Sequence, residues 1–450
     1  VNGIGFLGSA LIWLAAGLLL AVLAARARGR SIGLPISYLA ALALIHVPGA
    51  MVYADGAYQW FDPVWVADGF RASAYGALAF AIGAVAVVAL PAAAADDAPP
   101  ARARGVAMVV RPAIVLVAGL LVWQVALPVA EGLPSVGALV AAGAHLLPAA
   151  FVLAAWRTGI LAGRARLLPW LAVLSLMPLV TVGGQGFLGY GTTLAMVVVV
   201  AIVTLRRAWP WLLPALPVVV FAGLSLFVTY MRDRNEIREL VWGGASLDQR
   251  LSRIAGTLAD FEWFDPADPG HRMQIDRRLN QNWMVGLAEE RFREGQQVHA
   301  NGETLAWSVI ALVPRAAWPG KPEVGGGGDL VTRFTGVRFA EGTSVGAGQV
   351  LEFLVNFGTA GIWCCFLLFG AFIAWIDRRA AVALRAADPA RFLQFALPGM
   401  AALQPGGNFA EVTTSIAAAA ILGWLIARAR LPWLGHGAGD TALRRIAHDA

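Results

Sequence analysis

Stretches of about twenty residues with almost no charge recur along this chain, and they define its solvent before any other feature does. A bilayer hydrocarbon core about 30 Å thick needs about 20 apolar residues per helix. Residues 4–25, 34–52, 72–90, 112–127, 136–156, 167–182, 192–205, 209–228, 359–376, 392–403 and 412–427 each read as such a span or most of one. Only 14% of the 450 residues are charged, against about 25% in soluble domains. The sequence predicts an all-α polytopic membrane protein with about eleven transmembrane helices.

The net charge of +6 does not point to nucleic acid, because of where the arginines lie. Residues 229–345 carry 14 basic and 16 acidic residues, and the rest of the chain 20 and 12. Outside that segment the excess arginines cluster at the ends of apolar runs: Arg26, Arg28 and Arg30; Arg102 and Arg104; Arg157, Arg164 and Arg166; Arg206 and Arg207; Arg378 and Arg379; Arg428 and Arg430. With the spans alternating, every such cluster falls on one side, the pattern of cytoplasmic loops. This predicts an N-terminus outside and a C-terminus inside. It divides the chain into N-terminal spans (1–228), a large external and partly helical loop (229–358), C-terminal spans (359–430) and a cytoplasmic tail (431–450). The charge follows the first apolar run, whereas a secretory signal carries it before; the run reads as a retained helix. No internal repeat supports an inverted-repeat transporter.

Cys364 and Cys365 are adjacent in an apolar run, so neither a disulfide nor a metal site is expected from them. No other His/Asp/Glu spacing suits a metal, and no cofactor is expected.

The long loop holds the candidate chemistry, since loops of this length are usually functional or carry structure of their own. Leu247, Leu251, Ile254 and Leu258 recur at helical spacing behind Ser246, an N-cap residue type. Leu279, Trp283 and Leu287 mark a second amphipathic helix. Residues 305–313 are apolar but too short to span. Residues 325–328 are four glycines, permissive enough for a hinge or lid. Residues 313–322 read Val-Pro-Arg-Ala-Ala-Trp-Pro-Gly-Lys-Pro. Its prolines would stiffen the backbone that carries Arg315 and Lys321. Lys321 is the only lysine in the chain. A lysine binds phosphate as a point charge and an arginine as a planar fork, a pair suited to a pyrophosphate.

The stretch GETLAWSVIALVPRAAWPGKP, followed by GQVLEFLVNFGTAGI, resembles the Wzy-type oligosaccharide repeat-unit polymerases of O-antigen and exopolysaccharide synthesis. Gly302, Thr304, Pro314, Arg315, Trp318, Pro319, Lys321 and Pro322 carry the first half of the resemblance. Glu352, Asn356, Phe357, Gly358 and Gly361 carry the second. The likeness covers roughly residues 277–361. It departs in the connection 183–191, where such polymerases often place an arginine and this chain has Gln185 and no charge; Arg232 and Arg234 stand available instead.

The resemblance implies a lipid-dependent glycosyltransferase of GT-C-like architecture in a bacterial inner (cytoplasmic) membrane. It would transfer a growing glycan from undecaprenyl pyrophosphate to a sugar hydroxyl of another lipid-linked repeat unit at the outer face. Its expected partners are that lipid-linked oligosaccharide, the bilayer, a chain-length-regulating copolymerase and a flippase. The leaving pyrophosphate needs cations, for which the chain offers Arg315, Lys321, Arg232, Arg234, Arg333 and Arg338, with Trp318 and Asn356 beside them as substrate contacts. The acceptor hydroxyl needs a base, for which Glu352, Glu341 and His299 are the candidates. Each has a plainer alternative: Glu352 as a helix cap, His299 as an exposed loop residue, the arginines as partners of loop acids. An O-antigen ligase would share donor and architecture. A flippase should concentrate charged or broken helices at mid-membrane.

Overall fold

A computed structural model describes residues 3–26, 29–89, 100–130, 136–161, 164–314, 317–322, 326–339, 345–429 and 431–434. Nineteen α-helices form in chain order: α1 (Gly3–Arg26), α2 (Leu34–Val52), α3 (Pro63–Ala89), α4 (Pro100–Val109), α5 (Pro112–Leu121), α6 (Leu127–Ala130), α7 (Val136–Ala142), α8 (Leu146–Ile160), α9 (Leu168–Gln185), α10 (Gly189–Arg206), α11 (Trp209–Trp242), α12 (Leu247–Ala259), α13 (Pro269–Leu279), α14 (Asn282–Arg293), α15 (Glu303–Ala311), α16 (Gly327–Thr335), α17 (Gln349–Arg385), α18 (Pro389–Ala401) and α19 (Phe409–Arg428). Single turns of other helix types join α5 to α6 and α7 to α8, so each pair runs as one rod. Among the described residues, ten helices are long and apolar enough to cross a membrane. The chain is therefore a multi-pass α-helical membrane protein.

The central pair is α3 and α17. A Cβ on Gly83 would lie 1.9 Å from the Leu367 carbonyl oxygen, and one on Gly370 would lie 2.1 Å from that of Phe80. Only glycine lets the backbones approach this closely, which is how helices gain packing where lipid offers no hydrophobic drive.

The arginine-rich helix ends gather at one end of the bundle, as the alternation of spans requires. Arg157 donates to the Ala107 carbonyl at 2.9 Å, Arg206 to Thr158 Oγ1 at 2.7 Å and Arg378 to the Val87 carbonyl at 3.2 Å. Asp377 accepts from the amides of Ile32 and Leu34 where α2 starts. The loop helices dock at the other end. There Arg272 pairs with Asp55 at 2.5 Å, and buried Asp276 accepts from Tyr53 and Tyr58 hydroxyls and from Asn280 Nδ2. Burial pushes the Asp276 carboxyl above the usual carboxylate range.

Two expectations are corrected, and one expected boundary lies within a continuous helix. The span expected at 392–403 is a short helix, α18, about 20 Å long at 1.5 Å per residue. The chain continues through a non-helical, largely buried stretch at 402–408. The loop boundary expected after Val228 falls inside α11, which runs on to Trp242. The helix marked by Leu279, Trp283 and Leu287 is broken at Asn280–Gln281 into α13 and α14. Other readings match: Ser246 caps α12 through a reciprocal bond with Gln249, and α15 is a short apolar helix. Gly327 starts α16 with its Cα against the Val345 carbonyl, so close packing requires that glycine.

Candidate functional site

The site begins with a break in α17. Phe357 and Gly358 leave helical geometry, Gly358 at φ 62°, a region open mainly to glycine. The eight residues before the break, Gln349 to Asn356, are buried on every side. On one straight helix, Gln349 and Phe369 would lie roughly 30 Å apart. Instead Gln349 bonds Tyr38, whose ring meets Phe369 at 5.3 Å, and Phe353 meets Phe366 at 5.0 Å. The first segment thus folds back along the second as a hairpin, carrying Gln349, Glu352 and Asn356 into the bundle.

A second unwound segment meets it. Gly348 and Gln349 amides donate to the Gly406 and Pro405 carbonyls at 3.1 and 2.9 Å, and Gln281 Nε2 donates to the Gly346 carbonyl at 3.1 Å. Non-helical backbone at membrane depth survives only where protein or a polar cavity satisfies it; here the two unwound segments satisfy each other. The residues after the second segment start α19, whose N-cap Asn408 accepts from the Glu411 amide at 2.8 Å.

Glu352 sits at this junction, 1% exposed. Its Oε2 accepts from the Phe409 amide at 2.5 Å, at the positive end of α19. Thr304 lines the same cavity and accepts from Asn356 Nδ2 at 2.7 Å. Asn356 also donates to the Glu352 carbonyl and accepts from the Gly302 amide, so it locks α15 to α17. Above Glu352 opens a cavity of about 130 Å³, walled by Thr304, Trp307, Asp329, Arg333, Phe334 and Asn408. Arg333 and Glu303 form a bidentate pair, 2.9 and 2.7 Å, between α16 and α15. Arg333 holds the Glu303 carboxyl below the usual range.

An apolar groove of about 470 Å³ lies beside the cavity, lined by Leu305, Leu312, Phe353, Leu368, Phe372 and Ile416 among others. Phe353 and Phe409, the direct neighbours of Glu352 and Asn408, form part of its wall. The cavity and the groove thus lie on either side of the same backbone segments, at residues 304–305, 352–353 and 408–410.

The remaining candidates lie elsewhere. Lys321 donates to the Ala311 and Val313 carbonyls, both at 3.0 Å, holding the end of α15; the sequence carried no signal for this contact. Trp318 is partly exposed on the same segment. His299 is exposed and stacks on Phe292 at 4.1 Å, and unlike the others it lies beside the break in α17, where a Cβ on Gly358 would meet its ring at 3.6 Å. Arg232 is tied to Asp233, Glu262 and the Asp260 carbonyl. Arg234 has a 3.4 Å contact with Asn235, and Arg338 is exposed. Arg315 and Glu341 lie outside the described residues. Of the candidates, the structure brings Glu352, Arg333 and Asn356 together.

Thr304, Trp307, Asp329 and Asn408 were not anticipated as site residues. For Asn408 the only sequence signal was Asn followed by Glu three residues on, before an apolar run, which reads as a helix start. Among the described residues, no group of three His, Cys, Asp or Glu is placed to hold a metal. Comparison with protein-family models, curated proteins and solved structures returned no significant match.

Proposed function

We propose that this protein is a glycosyltransferase that joins lipid-linked oligosaccharide repeat units at the membrane face bearing the long loop. The observation that carries this reading is a buried carboxylate, Glu352, in the wall of a cavity of about 130 Å³ that mixes polar and aromatic side chains and adjoins an apolar groove. The groove suits the polyprenyl chain and the cavity the sugar at its head. Trp307 and Phe334 offer aromatic faces, and Asn408, Asp329 and Glu352 offer hydrogen-bonding partners for hydroxyls.

In the reaction the acceptor hydroxyl attacks the anomeric carbon of the donor. The bond from that carbon to the pyrophosphate oxygen breaks, and the lipid pyrophosphate leaves with the electron pair. Glu352 takes the hydroxyl proton, the role of a general base. Arg333 is the described cation that lines the cavity, and on this reading it holds the charge that develops on the leaving pyrophosphate. The undecaprenyl donor, the bacterial inner membrane, the GT-C-like class, and the copolymerase and flippase partners rest on the sequence resemblance.

The test is reconstitution. Purified protein in nanodiscs, given an undecaprenyl-pyrophosphate-linked oligosaccharide, should yield a ladder spaced by one repeat unit and release undecaprenyl pyrophosphate. A product formed only with a lipid A core acceptor would make it a ligase. A flippase is the second reading. The break at Phe357–Gly358 and the unwound segment 402–408 favour it, because broken helices mark transport sites.

A further inference from the structure

We infer that α12 is an interfacial helix: the N-terminal half of its apolar row lies in the bilayer surface at the loop end. Leu247, Leu251, Ile254 and Leu258 fall on one face at 100° per residue. That row is covered over only half its length. Ile254 is buried against Val182, Ile237 and Val241. Leu247 and Leu251 stand 66% and 54% exposed. Trp242 extends the same bare patch, at 63% exposure, with its ring 6.0 Å from that of Phe187.

The position of this patch identifies its occupant. Trp242 Nε1 and Tyr230 Oη donate to the Gln185 and Gly186 carbonyls, so the α11–α12 turn lies level with the loop end of membrane helix α9. The lower part of the hairpin returns further. The Phe264 amide donates to Ser225 Oγ, and Trp263 stacks on Phe221 at 5.8 Å with the planes within 7°. Phe221 belongs to the exposed apolar surface of α11, with Leu216, Val218 and Val219. The bare apolar surface is thus continuous from the spanning part of α11 to Trp263, and its aromatic rings sit where tryptophan concentrates at membrane–water boundaries. Arg238 stacks over Phe187 at 4.2 Å and Trp242 at 5.2 Å, at the rim where a guanidinium meets lipid phosphates. Asp248 and Ser252, on the other side of α12, are exposed to water, while Arg253 faces α11 and pairs with Asp233 and Glu236.

Site-directed spin labelling tests this. Cys364 and Cys365 are replaced by alanine, and L247C, L251C and S252C are labelled singly on the full chain. The protein is placed in nanodiscs of phosphatidylcholine with phosphatidylglycerol. All three positions are exposed, so a label displaces no packing. At 247 and 251, oxygen should relax the label more than a water-soluble nickel chelate does. At 252 the order should reverse. Nickel accessibility at 247 and 251 equal to that at 252 would overturn the inference. Shielding at 247 and 251 from both reagents would also overturn it, since it would mean that a second copy or another protein covers the patch.

Discussion

Replacing Glu352 by glutamine separates a catalytic base from a helix cap. The substitution keeps shape and hydrogen bonding nearly intact. A glutamine carbonyl oxygen can still accept from the Phe409 amide now bonded at 2.5 Å. What is lost in the fold is the charge assistance of that hydrogen bond, about 1 kcal/mol. What is lost in the reaction is the base, typically 10²–10⁴ in rate, or about 3–5 kcal/mol of barrier. Glu352→Ala cannot make this separation, because it orphans the Phe409 amide at about 1–3 kcal/mol and opens a cavity besides. The assay is polymer formed per monodisperse protein in nanodiscs, with donor binding measured separately. Glu352→Gln should bind donor as the native protein does and turn over at least roughly a hundredfold more slowly. Turnover within a few-fold of native, with or without a loss of thermal stability, refutes the base role and leaves Glu352 as the cap of α19.

The other expectations follow from contacts already described. A membrane-impermeant thiol reagent should label cysteines placed at 267–270 and at 379 from opposite sides of a sealed vesicle; labelling from one side would break the placement of the bundle ends. Lys321→Ala should free the Ala311 and Val313 carbonyls at a cost of about 1–2 kcal/mol, read as faster amide exchange across α15; unchanged exchange would show that Lys321 does not hold that end. Arg333→Gln should cost under about 1 kcal/mol at neutral pH, since both partners are half-exposed. The Glu303 carboxyl is depressed by Arg333, so this contribution is present above the unfolded pKa and lost as pH falls through the folded one. The stability difference should shrink as pH falls below the ordinary glutamate pKa of about 4.3 and vanish once Glu303 is protonated in the folded state; a difference that persists with Glu303 protonated would assign it to packing. Sealed vesicles with a fluorescent lipid-linked oligosaccharide should show no protein-dependent movement between leaflets; such movement would favour the flippase.

Fold class was legible in the sequence because a bilayer imposes a length and a composition, and ten of the eleven expected spans meet both. The eleventh failed because an apolar run of twelve residues cannot reveal whether neighbours will let it unwind. Residues 402–408 are non-helical because the 345–349 segment supplies their hydrogen-bond partners, a contact between positions far apart in the chain. The loop start expected after Val228 lies within one continuous helix for a related reason. Residues 229–242 are charged and look extramembranous, yet nothing in Met231 to Leu240 breaks a helix, so α11 continues. Glu352 was visible as an acid beside an apolar run, but its burial depends on the hairpin at Gly358 and on α19. Lys321 drew attention as a lone ammonium, and periodicity could not show that two backbone carbonyls await it.

The broken helices need not mean transport, because of what lies beneath the cavity. From Glu352 toward the opposite end of the bundle, the next layer is aromatic. Phe353 meets Phe366 at 5.0 Å and Phe409 at 5.4 Å, Phe369 meets Phe409 at 5.8 Å, and Tyr38 joins Phe369 to Phe80. Each such pair contributes about 0.5–1.5 kcal/mol beyond its buried area. A glycan headgroup crossing the membrane here would have to part all of them and desolvate its hydroxyls against aromatic rings, where the Tyr38–Gln349 pair is already engaged with itself. In a transporter a broken helix supplies those partners along the path. Here the polar ends of the break face one another at the top of the aromatic layer, around Glu352, and the groove beside them runs along the bundle's surface. On the proposed reading, a lipid-linked sugar would enter sideways from the leaflet, react and leave the way it came, which a transferase needs and a transporter does not.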